Sequence, residues 1–206
     1  LPGLVSAVLH NTNRQHPSVR LFETGLRFIP DDSGLRQVPT LAMVSTGPRF
    51  EESWASPADD SDFFDLKGDI ESLLGLTRRS EHFSFGVTSR PALHPGQTAC
   101  ITRKGEVVGV VGALHPSVGT ELGLNAPLYL CEIDLAVLLE GEMPKYAELS
   151  KFPEVRRDLA VVVDKTVSSA RLMEDVRAAA GTYITDLRLF DVYTGKGIDP
   201  KRKSLA

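Results

Sequence analysis

Residues 151–164 read KFPEVRRDLAVVVD, a proline and paired arginines set directly against an unbroken apolar run. LAVVVD (159–164) is short and β-branched, which predicts a strand. Downstream, SSARLMEDVRAAAG (168–181) places Leu172, Met173, Val176 and Ala180 on one helical face with Gly181 at its stop, and this predicts a helix. YITDLRLFDVY (183–193) predicts a second strand, and TGKGIDPKRK (194–203) a turn leading into the start of a third.

The order β, α, β, turn, β is the front half of a ferredoxin-like βαββαβ unit, whose second helix and fourth strand are expected after Ala206. Upstream, GEMPKYAELSKFP (141–153) carries two prolines and a shift in polarity, the composition of a linker. The expected domains are therefore residues 1–148 and 149–206. The charge changes sign between them. Residues 1–148 carry 12 Lys and Arg against 19 Asp and Glu, a balance of -7, whereas residues 149–206 carry 11 against 8, or +3. A basic domain beside an acidic one points toward a polyanionic partner for the basic part, with solvated surface as the alternative.

The first domain reads as an antiparallel sheet with helices, α+β in class. LPGLVSAVLHNTNRQ (1–15) predicts an amphipathic helix, and VRLFETGLRFI (19–29) and TLAMVSTG (40–47) a pair of strands around PDDSG. Phe63, Leu66, Ile70, Leu73 and Leu74 return to helical spacing, with Asp62 placed to cap and Gly75 to stop. HFSFGV, TACITR, VVGVVGAL and LYLCEID predict strands, the middle two joined by a tight turn at Lys104-Gly105-Glu106, while SVGTELGL and LAVLLEG read as short helices.

With 42% of 206 residues hydrophobic and 24% charged, the chain can bury a substantial core. Its longest wholly apolar stretches fall far short of the roughly 20 residues that span a bilayer, and no targeting segment opens it, so a cytoplasmic location without membrane contact is expected. The opening Leu1 and the uncapped KRKSLA ending suggest a piece of a longer protein. Cys100 and Cys131 lack the spacing of a zinc site or redox pair and are expected in the core.

Local motifs announce no self-sufficient active site. His94-Pro95 and His115-Pro116 invite a metal-dependent hydrolase reading, but neither histidine has an i+4 partner, and hydrogen bonding within loops is the competing role. Asp59-Asp60 and Glu51-Glu52 read as solvated. GKGIDPKRKS and GVVGALHP lack the glycine spacing of phosphate-binding loops. The basic segment remains. Arg156 and Arg157 can contact phosphate or pair with Asp158, which would instead suit a protein interaction module. Tyr193, beside Asp191 and followed by Gly195, is either a platform for an unstacked base, whose edge Asp191 could bond, or a tyrosine capping a core.

FPEVRRDLAVVVD, LFDVYTGKGI and KRKSLA together closely resemble the anticodon-binding domain of bacterial phenylalanyl-tRNA synthetase β subunits. LPGL, LFETGLRF, DFFDLKGDIESLL, ALHPGQTA and GVVGALHP resemble, in order, the preceding synthetase-like domain of that family. The resemblance spans essentially the whole chain. It implies a class II synthetase fold for residues 1–148, catalytically silent, with VRLFETGLRF a degenerate form of the ATP-contacting arginine motif. It implies no cofactor in this chain, with ATP and Mg²⁺ serving the holoenzyme on its α subunit, and partnership with α in an (αβ)₂ tetramer and with tRNA(Phe). Editing and metal-binding modules would precede Leu1. The family's contacts to the first anticodon base map onto Ala160, Asp191, Tyr193 and Ser204.

Overall fold

The computed structural model describes residues 1–206 apart from 33, 57, 58, 147, 149 and 150. The class is α+β, and the chain divides into two compact units, Leu1–Tyr146 and Ala147–Ala206. The boundary expected before Leu149 falls at a residue outside those described.

In the first unit α1 (Pro2–Thr12) precedes the long hairpin β1 (Val19–Asp31) and β2 (Gly34–Thr46), then come α2 (Phe63–Leu76), β3 (Phe83–Val87), β4 (Leu93–Arg103), β5 (Glu106–Leu114), α3 (Pro116–Glu121), β6 (Leu128–Asp134) and α4 (Leu135–Leu139). Six strands form one antiparallel sheet in the order β1-β2-β6-β5-β4-β3. Strand alternation sends successive residues to opposite faces, so the sheet carries a core on each. Leu41, Ile101, Val111, Cys131 and Ile133 pack with Leu66, Ile70 and Leu74 of α2 on one face. On the other, Ala42, Val44, Leu128 and Leu130 pack with Leu4 and Val8 of α1. The turn between β4 and β5 takes positive φ at both Lys104 (51°) and Gly105 (88°), the geometry that matches the twist of a two-residue hairpin.

Three expectations are corrected here. β2 begins at Gly34, not Thr40, because pairing with β1 runs from Asp31↔Gly34 inward and recruits residues whose own alternation is weak. Gly75 lies inside α2; the helix ends at Thr77, whose Oγ1 donates to the Leu74 carbonyl at 2.7 Å, and positive φ falls on Arg78. Cys100 is only half-buried, its thiol donating to the Gly86 carbonyl at 3.3 Å. Cys131 is a core residue, and burial first, then the Glu132 charge, push its thiol well above the ordinary range.

The second unit contains β7 (Val161–Asp164), α5 (Ser169–Ala180), β8 (Val192–Tyr193) and β9 (Arg202–Leu205). β9 lies between β7 and β8 and is antiparallel to both, so β7 and β8 run parallel to each other on either side of it. This split βαβ is the ferredoxin-like arrangement. Ser168 caps α5 by accepting the Arg171 N–H at 3.2 Å, and Gly181 stops it at φ +57°. Leu172, Met173, Val176 and Ala180 are half-buried, while the other residues from Ala170 onward are exposed, which orients the helix as its periodicity requires. Of the strand expected over 183–193, only Val192 and Tyr193 form β8, because β9 is short and is its single partner among the described residues. Leu205 is the one buried side chain of this unit among the described residues.

Candidate nucleic-acid interface

The register of the small sheet decides which side chains meet. Ser204 in β9 lies opposite Tyr193 on one side and Val162 on the other, and residues directly opposite in an antiparallel ladder share a face. Leu205 lies opposite Val192 and Val161, one residue out of phase and therefore on the other face. The ladder continues past β8 in the backbone: Asp191 N–H donates to the Ala206 carbonyl at 3.1 Å, and Ala206 N–H returns to the Asp191 carbonyl at 3.0 Å. Asp191, two residues before Tyr193, thus takes Tyr193's face. Ala160 lies directly before β7, outside the ladder. Three of the expected positions, Asp191, Tyr193 and Ser204, therefore share one face, with Ala160 next to the start of β7.

Tyr193 is 45% exposed. Its phenol donates to the Lys196 carbonyl at 3.1 Å, which ties the ring to the turn that follows β8. That turn passes so close that a Cβ built at Gly195 would stand 2.4 Å from Tyr193 Oη. Sequence reasoning noted the glycine but not the contact; a glycine two residues after an aromatic strand end was the available signal. The exposed Asp191 carboxylate has no hydrogen bond or ion pair with another described side chain, leaving both oxygens as acceptors.

Arg156 and Arg157 are not brought into these rows. They lie before β7, outside any ladder, with Arg156 Nε 3.3 Å from Asp158 Oδ1 and Arg157 Nη1 donating to the Arg156 carbonyl at 2.9 Å. The Arg156 side chain is 80% exposed, and a pair in that setting is worth about 0–1 kcal/mol, too little to withhold the guanidinium from a phosphate.

His94 and His115 are each engaged locally. His94 Nδ1 accepts the Gly96 N–H at 3.0 Å, and His115 Nδ1 accepts the Ser117 N–H at 3.2 Å at the start of α3. Among the described residues no three His, Cys, Asp or Glu side chains are grouped to hold a metal ion. In β1, Arg27 pairs with Asp134 at 2.8 Å and Arg20 donates to the Arg49 carbonyl at 2.9 Å. No helix among the described residues is long and apolar enough to cross a membrane.

Comparison with known proteins meets this geometry. Residues 1–135 match the family described as phenylalanyl tRNA synthetase beta chain CLM domain, and residues 150–206 match the ferredoxin-fold anticodon binding domain. The chain belongs to the phenylalanyl-tRNA synthetase β-chain family. It is 54% identical to the phenylalanine–tRNA ligase beta subunit of Pseudomonas putida and 48% identical to that of Shewanella oneidensis, over 100% and 99% of its own length. A third relative, the same subunit of Vibrio cholerae, is 46% identical. The chain spans 26% of the length of each of these β-chain relatives.

Proposed function

We propose that this chain supplies tRNA(Phe) recognition and α-subunit docking to an ATP-dependent phenylalanine–tRNA ligase and makes no bond itself. Residues 1–148 act as a catalytically silent synthetase-like scaffold, and residues 149–206 as an anticodon-binding domain. The observation that supports the reading is the alignment of Asp191, Tyr193 and Ser204 on one face along the β8–β9 pairing, with Ala160 directly before β7.

The chemistry follows from those side chains. A base stacked on Tyr193 gains about 1–3 kcal/mol whatever its identity. Identity comes from Asp191, which as a carboxylate only accepts and therefore favours an edge offering adjacent donors; guanine, with N1–H and N2–H₂, is the base that does so. Ala160 leaves room where a larger side chain would crowd the base, and the Ser204 hydroxyl can donate or accept beside the ring. Arg156 and Arg157 add attraction for the phosphates flanking that base.

ATP and Mg²⁺ are assigned to the α subunit of an (αβ)₂ assembly in the cytoplasm. In support of that assignment, Arg20 and Arg27 are engaged by protein groups, and among the described residues no three His, Cys, Asp or Glu side chains are grouped to hold a metal ion. Support for docking comes from Phe22, Leu26 and Phe28, which share one face of β1 and are all exposed, with Leu35 of β2 beside them; an apolar stripe of that kind suits a protein partner. Tyr193→Ala in the full-length enzyme tests the reading. It should raise the tRNA KM while sparing phenylalanine-dependent pyrophosphate exchange, and equal loss of both would refute it.

A further inference from the structure

The Tyr193 ring is braced at two adjacent residues of one turn. Its phenol reaches the Lys196 carbonyl at 3.1 Å, and one face of the ring, at its phenolic end, lies against Gly195, where an added Cβ would be 2.4 Å from Oη, 2.5 Å from Cζ and 2.8 Å from Cε2. Non-bonded carbons do not approach so closely, so any side chain at 195 would expel the ring from its seat. Gly195 does not have a positive φ, and its backbone is therefore open to alanine without strain. The atoms in conflict are the far end of a side chain that can rotate, so the fold can survive what the ring position cannot.

We infer that Gly195 is a positioning residue, whose missing side chain holds the Tyr193 ring in the orientation that receives a nucleobase. The inference rests on the reading of Tyr193 as a base platform. A ring already fixed by Gly195 and Lys196 surrenders little freedom when a base stacks on it, whereas a displaced ring must first be brought back. The Lys196 anchor is a backbone carbonyl, so the side chain at 196 is not part of the device.

The test compares Gly195→Ala, Tyr193→Ala and the double variant in the full-length β subunit assembled with α, measuring tRNA KM and phenylalanine-dependent pyrophosphate exchange. Gly195→Ala should raise the tRNA KM about three- to tenfold, the scale of one side chain that must be re-ordered on binding, with exchange unchanged. In the double variant the glycine substitution should add nothing to the loss caused by Tyr193→Ala, because two residues acting through one ring are fully coupled. A wild-type KM for Gly195→Ala alongside an impaired Tyr193→Ala overturns the inference, as do additive losses. A double variant that fails to assemble also overturns it, since Gly195 would then serve the fold directly. If Tyr193→Ala itself leaves tRNA KM unchanged, the base-platform reading falls first, and the two failures are told apart.

Discussion

Ser204 stands directly opposite Tyr193 in the β8–β9 ladder, and this single pairing sets the face that the rest of the small sheet presents. Because β9 is the central strand, its residues fix the phase of both neighbours: Ser204 aligns Val162 as well as Tyr193, and Leu205 turns the other way.

Leu205 is the buried residue opposite Val161 and Val192. Leu205→Ala should destabilise the second unit by about 2–5 kcal/mol, the usual range for emptying a buried leucine site. Hydrogen exchange on the full-length protein would report it as faster exchange of the β7–β9 amides, with the β2 and β6 amides of the first unit unchanged.

Asp191→Asn exchanges one acceptor for a donor at nearly constant volume. If the carboxylate reads two adjacent donors on the base, the variant should lose about 1–3 kcal/mol of preference for the cognate base, the scale of a bidentate base contact. Aminoacylation of wild-type tRNA(Phe) and of a transcript altered at the first anticodon base would show the ratio of kcat/KM values shrinking. An unchanged ratio would leave Asp191 without a reading role.

Arg156 and Arg157 make a different kind of prediction, since phosphate contacts are seen in salt dependence and not in base preference. Replacing both with alanine should flatten the slope of log K against log salt by about 1–2 for tRNA binding to the full-length subunit. Arginines that serve only Asp158 would leave that slope as it was.

A pH effect is expected in the first unit. Burial pushes the Asp65 carboxyl up, but the Asp62 backbone N–H, donating at 2.7 Å, and the Arg49 guanidinium at 2.9 Å pull it down further, so it lies below the usual carboxylate range. A carboxyl depressed in the folded state contributes stability that is fully present above its unfolded value, about pH 4, and is lost as pH falls through the lower folded value. Arg49→Met should therefore lower the melting temperature at neutral pH and reduce its fall below about pH 4, as followed by circular dichroism.

Helices were the most legible elements. The residues Leu172, Met173, Val176 and Ala180 named by 3.6-residue spacing are the half-buried face of α5, and Asp62 and Ser168 cap where their chemistry suits them. A cap or a helical face is settled within one or two turns of chain, so the information is local. Strand extents were less so. β2 starts six residues before the expected Thr40, and β8 retains two residues of an expected eleven-residue strand, because each extends only as far as its partner strand offers a ladder.

The residue types of the candidate interface, and their likeness to a known family, could be read from the chain alone. The alignment of Asp191, Tyr193 and Ser204 on one face could not. A shift of one residue in pairing would send Ser204 to the side where Leu205 is buried, and nothing near Ser204 in sequence forbids it. That choice was made by backbone hydrogen bonds among β7, β8 and β9, segments that meet only after folding.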